Sequence, residues 1–179
     1  MKPIGSLEFA YLAYFSRPAK DRRLFRAIRR RRVARILEIG VGQGLRSQRM
    51  IAAASRVDGP VDIRLAAIDL FEARPASAAA LTLKRAHQIL APSGAEIHLL
   101  PGDPYSSLAR AANSLTNTDL IVISAELDPD SLQKAWFYFP RMLHAESLVF
   151  RETGDGYQEM TRDEIEQLAR QTSTRRRAA

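Results

Sequence analysis

The chain has no cysteine, one tryptophan and three histidines, and it contains no long apolar run. Each shortage closes off a class of chemistry. Without cysteine there are no disulfides and no thiolate chemistry, which fits a cytoplasmic protein. His87, His98 and His144 match no metal-ligand spacing, and each reads as structural. No stretch is long enough to span a bilayer, so no membrane partner is expected. The aromatic run Phe9–Phe15 is short, follows Glu8 and lacks a small-residue cleavage site, so it does not read as a signal peptide. Repeats and low-complexity segments are absent from the core.

What remains is enough for one domain with a full hydrophobic core: 179 residues, 46% of them hydrophobic. The net charge of +7 raises the possibility of a nucleic-acid partner. Its main sources are Arg29-Arg30-Arg31-Arg32 with Arg35, and the tail Arg175-Arg176-Arg177, which reads as disordered. The first run precedes the first predicted strand and so belongs at the amino edge of a sheet, where it reads as a solvated helix end.

Residues from Ser6 to Arg32 read as two helices broken by Pro18, with Leu24, Phe25 and Ile28 on one face. Strands are then predicted at Arg35–Ile39, Ile63–Ile68, Glu96–Leu100, Leu120–Ser124 and Ser147–Arg151. Helices fall between them, at Leu45–Ala54, Ala76–Leu90, Tyr105–Ala112 and Pro129–Leu143. Asp128 before Pro129 is a helix start, and Gly94 a stop. This alternation predicts an α/β fold: a Rossmann-like, doubly wound sheet of about five mainly parallel strands, with helices on both faces. The expected organisation is an N-terminal helical segment (1–34), a cofactor-binding core (35–151) and a C-terminal helix with a basic tail (152–179). Phe9–Phe15 either joins the core or folds over a cleft.

The most informative stretch is Arg35-Ile36-Leu37-Glu38-Ile39-Gly40-Val41-Gly42-Gln43-Gly44-Leu45-Arg46-Ser47. An apolar strand carrying an acid breaks into glycines at alternate positions and then enters a helix. Backbone turns this way where it passes close against a ligand. A dinucleotide fingerprint would need a glycine at Leu45, and a phosphate loop would need Lys-Ser/Thr, so neither fits. A carboxylate at Glu38, near the end of a buried strand, needs a partner.

The Glu-x-Gly-x-Gly-x-Gly run resembles the first motif of the class I S-adenosylmethionine-dependent methyltransferases. The resemblance implies that the loop passes under the methionine part of S-adenosylmethionine and that Glu38 helps hold its ammonium end. It implies a ribose-binding acid at Asp69, with Leu70 or Phe71 against the adenine, although Asp69 also suits a turn cap. Gly102-Asp103 corresponds to an adenine-proximal pair. Asp103 before Pro104 is equally an N-cap, and the two roles are compatible. Metal-dependent members carry an aspartate where Ser124 stands, so a metal-independent reaction is expected.

The implied cofactor-binding set is Glu38, Gly40, Val41, Gly42, Gly44, Asp69, Leu70, Gly102, Asp103 and Ser124. It includes no metal ligand, and no catalytic residue is assigned. The resemblance runs from about Arg35 to Arg151 and erodes toward its end, where Leu143-His144-Ala145-Glu146 replaces a glycine turn. The last two strands of the full methyltransferase sheet are expected to be missing. The C-terminal helix or a second subunit, making a homodimer, should cover the exposed sheet edge. The leading reading is methyl transfer to a small-molecule substrate. The alternatives are a non-catalytic cofactor-binding or scaffold protein and, third, a nucleic-acid methyltransferase.

Overall fold

The computed structural model describes residues 4–55, 62–74 and 81–178, the last four by backbone alone. The N-terminal segment forms α1 (Ser6–Ala10), a π-helical turn (Tyr11–Phe15) and α2 (Arg22–Arg31). Leu24, Phe25 and Ile28 of α2 are fully buried, as their spacing predicts. Each contributes about 1.5–3 kcal/mol of apolar burial. Phe9 and Leu12 pack against the same core, while Leu7, Tyr11, Tyr14 and Phe15 face solvent. The aromatic run therefore packs on the helical layer and lines neither of the clefts described below.

Strands β1 (Arg35–Ile39), β2 (Arg64–Asp69), β3 (Glu96–Pro101), β4 (Thr118–Ile123) and β5 (Leu143–Thr153) are parallel. Between them lie α3 (Leu45–Ala54), α4 (Leu83–Leu90), α5 (Pro104–Ala111), α6 (Pro129–Ala135) and α7 (Phe139–Met142). The predicted helix over 76–90 is seen from Leu83; residues 75–80 lie outside the described residues. One long helix over 129–143 is not formed. A 3₁₀ turn at Trp136–Tyr138 interrupts it, because Pro140 has no N–H to continue the ladder. Asp128 caps α6 through Ser131 N at 2.7 Å, and Gly94 turns the chain at φ +72°.

The expected five strands are in fact six among the described residues, in the order β3-β2-β1-β4-β5-β6. Strand β6 (Gly156–Met160) folds back antiparallel on β5 through the two-residue connection Gly154-Asp155. It covers the edge of β5 that was assigned to the C-terminal helix or a second subunit. The turn signal Thr153-Gly154-Asp155-Gly156 marks this hairpin in the sequence. Helix α8 (Arg162–Ala178) packs on α6 and α7, and its backbone continues through the arginine tail expected to be disordered. Arginine and alanine are strong helix formers, so an anchored helix propagates through them.

Two cores sandwich the sheet. Residues of α2, α3 and α4 meet Ile36, Leu65, Leu120 and Phe150 on one face. Residues of α5 to α8 meet Leu37, Ile68, Ile121 and Val149 on the other. Strand order reverses between β1 and β4. The connections after these strands leave to opposite faces, α3 on one and α6 on the other, the place where such sheets form a ligand crevice.

Candidate cofactor site

The loop after β1 is shaped by three glycines with positive φ, two of which are required by packing as well. A Cβ on Gly40 (φ +87°) would lie 2.5 Å from the Ser124 Cβ, and one on Gly44 (φ +79°) 2.6 Å from Ile89 Cδ1. Gly42 (φ +62°) differs: a Cβ there meets nothing within 4 Å, so the loop presents bare backbone to open space.

Two clefts flank this loop. The first, about 270 Å³, is lined by Gly40, Val41, Gly42, Arg46 and Ser124, together with Lys20 and Glu152. The second, about 180 Å³, lies between Asp69, Leu70 and Arg74 on one side and Gly102, Asp103 and Leu127 on the other. Glu126 lines both. Eight of the ten residues proposed from the sequence therefore line these clefts, four in each. Glu38 and Gly44 line neither cleft and lie beneath the loop. Of the two residues offered against an adenine, Leu70 lines the second cleft and is 39% exposed, whereas Phe71 is buried in the core.

Glu38 is fully buried, and its partner belongs to the chain. Alternation along β1 turns Glu38 to the face covered by α3. There it accepts from Arg46 Nε at 2.7 Å and from the Ser47 hydroxyl. Arg46 also donates to the Gly40 carbonyl (2.7 Å), Tyr157 OH (2.9 Å) and Glu152 Oε2 (3.0 Å). Lys20 pairs with the other Glu152 oxygen, and Tyr157 OH donates to Asp21 at 3.0 Å. Burial pushes the Glu38 and Asp21 carboxyls up, and the hydrogen bonds from Ser47 and Tyr157 partly offset it. Arg46 loses hydration, yet Glu38 and Tyr157 outweigh that loss and raise its pKa further, so it stays charged.

Asp69 is 5% exposed and ties the second strand to the loop. Its Oδ2 accepts from Val41 N (2.7 Å) and Gly42 N (3.2 Å), and its Oδ1 from Phe71 N (3.2 Å). Arg74 closes a two-pronged pair on the same carboxylate, Nε to Oδ1 at 2.7 Å and Nη2 to Oδ2 at 2.5 Å. Burial works to raise this carboxyl, but Arg74 and the backbone N–H groups prevail and lower it. Asp103 takes the capping role and lies at the second cleft. It caps α5 through Tyr105 N and Ser106 N (3.0 and 3.1 Å), accepts from the Ser106 and Ser131 hydroxyls, and borders the second cleft. Partial burial raises it, while these donors outweigh burial and hold it at about 2.

Sequence reasoning missed Arg46, Arg74 and the cluster of Lys20, Asp21, Glu152 and Tyr157. A signal for Arg46 existed. A cation in the first turn of a helix opposes the helix dipole and calls for an acid nearby. Arg74 stands only five residues after Asp69 with no pattern to mark the pair, and the cluster comes from distant segments. Among the described residues, no group of three or more His, Cys, Asp or Glu side chains is arranged to hold a metal. None of the helices described is long and apolar enough to cross a membrane. The arginines that end α2, Arg29 to Arg31, lie at the amino end of β1, opposite the mouth, and Arg31 pairs with Glu146 at 2.8 Å.

No family model and no curated protein sequence matches the chain. Solved structures do. An O-methyltransferase from Bacillus cereus, in complex with S-adenosylhomocysteine, is 15% identical with a TM-score of 0.56, over 100% of this chain and 82% of its own. The O-methyltransferase TomG from Streptomyces achromogenes, in complex with S-adenosylmethionine, is 18% identical with a TM-score of 0.53, over 97% and 78%. A TehB-like methyltransferase from Corynebacterium glutamicum is 21% identical with a TM-score of 0.51, over 90% and 76%. At such identities the likeness is one of fold, and it agrees with the strand order and the loop. The chain has a class I S-adenosylmethionine-dependent methyltransferase-like Rossmann fold.

Proposed function

We propose that the protein is a metal-independent methyltransferase that uses S-adenosylmethionine and acts on a small-molecule acceptor in the cytoplasm. One observation carries this reading. Two clefts, each too small alone for a drug-sized ligand, share Glu126, and the first is bordered by a glycine loop that is open at Gly42. A long ligand would lie across the loop, its nucleoside in the second cleft between Leu70 and Leu127. When bound, the cofactor supplies an activated methyl group to an in-line nucleophile. The chain's residues would position the two reactants, and proximity can carry much of such a reaction. Glu126 stands where the two linings meet, forms no salt bridge among the described residues, and is the group placed to take the acceptor's proton.

A second reading, a non-catalytic methyltransferase-like scaffold, is favoured by a specific observation: Glu38 and Asp69, the acids expected to hold the cofactor, are both already held by arginines. Calorimetric titration with S-adenosylmethionine and S-adenosylhomocysteine, beside an Asp69→Ala variant, tests both readings. Micromolar binding that the variant loses supports the cofactor site. Methyl transfer to any member of an acceptor panel then selects the first reading. A well-folded protein that binds neither compound refutes the first reading and selects the second.

A further inference from the structure

The amino end of the sheet holds a cavity of about 370 Å³, larger than either cleft at the opposite end. One face of β3 is covered and the other is open. Ile97 and Leu99 pack against the first core, while His98, turned the other way by strand alternation, keeps its side chain 57% exposed. Helix α5 packs on β2 and ends at Ala111, which lines the cavity wall. The floor is apolar: Ala66, Leu100 and Leu115 line it and pack in the second core.

The rim is charged. Arg35, Arg64 and Glu96 are the first residues of β1, β2 and β3 and stand side by side in register. Glu96 pairs with Arg64 at 2.8 Å and with His98 at 2.7 Å. Arg35 has a cation beside it on β2 instead of an acid. Among the described residues its guanidinium makes one long hydrogen bond, to the Thr116 carbonyl at 3.4 Å. Like charges directly opposite each other on neighbouring strands are unfavourable, and an anion between them removes the conflict.

We propose that this cavity is a second ligand site, which binds a small amphipathic carboxylate. The carboxylate lies between Arg35 and Arg64, and the apolar body rests on Ala66, Leu100 and Leu115. The volume is at the small end of ligand pockets and suits a single ring or a short acyl chain. Glu96 stands one strand beyond Arg64, about 5 Å further along the sheet, and its charge keeps the anion on the Arg35 side. The cavity lies at the opposite end of the strands from Gly42, so its ligand is neither the cofactor nor the methyl acceptor. The proposal stands whether or not the cofactor reading does.

The test titrates the full chain with benzoate, phenylacetate and hydrocinnamate, with their neutral amides, and with acetate, following backbone amide chemical shifts. At least one aryl acid should bind with a Kd below about 1 mM, and its amide and acetate should each bind at least roughly tenfold more weakly. The shifts should move at His98 and Thr116 and stay fixed at Gly42 and Leu70. Arg35→Gln should weaken the aryl acid at least roughly tenfold, whereas Arg85→Gln, an equal loss of charge on α4, should leave it unchanged. The amides read the role of the charge even if Arg35→Gln fails to fold. Equal binding of acid and amide would overturn the anion subsite, and equal binding of acetate would overturn the apolar floor. Shifts confined to Gly42 and Leu70, or no binding by any of the three acids to the folded parent protein, would overturn the site itself.

Discussion

Arg46 reaches back eight residues to set its Nε 2.7 Å from Glu38 Oε1, and the same guanidinium donates to the Gly40 carbonyl between them. One side chain thereby fixes both ends of the β1–loop–α3 turn. It also puts a cation in the first turn of α3, where the helix dipole disfavours it, and the buried carboxylate compensates.

Removing one partner of this pair leaves the other buried and uncompensated. Glu38→Ala should lower stability by about 3–5 kcal/mol. Chemical denaturation read by tryptophan fluorescence measures it, since Trp136 is the sole tryptophan and lies in the opposite core. A loss below about 1 kcal/mol would mean that the pair does not hold the turn.

Gly40 and Gly42 separate packing from ligand approach. Gly40→Ala must push a methyl group to within 2.5 Å of Ser124, so it should unfold or strongly destabilise the protein. Gly42→Ala meets no atom within 4 Å and should cost only the left-handed backbone penalty, about 1–2 kcal/mol. The same change should weaken S-adenosylhomocysteine at least roughly tenfold if the ligand crosses the loop there. Full binding by a folded Gly42→Ala protein would move the ligand elsewhere.

Asp103 gives a signed pH dependence. Its folded pKa, about 2, lies below the unfolded value. Its contribution is therefore complete above the unfolded pKa of about 3.9 and is lost as pH falls through the folded one. Thermal melts between those values should show Asp103→Asn with a shallower acid slope than the parent protein. Parallel slopes would remove Asp103 as a source of acid sensitivity.

The sequence by itself determined the alternation of strands and helices, the glycine loop and the acid after the second strand. These are local properties: the period of apolar residues, backbone freedom at Gly40 to Gly44, and caps such as Asp103 and Asp128. The β5–β6 hairpin was also legible at Gly154-Asp155, and it was missed because the apolar pattern of β6 is thin, with only Tyr157 buried. Tertiary structure alone decided who holds the acids. Glu38 and Asp69 each needed a positive or hydrogen-bonding partner, and the sequence offers 27 lysines and arginines without saying which. Packing α3 on the sheet and pairing β6 with β5 delivers Arg46 and Tyr157 to one end of the crevice, and the chain after β2 returns Arg74 to the other. Charge pairing acts over a few ångströms in space, and only the fold converts separations of 5, 8 and 111 residues into that distance.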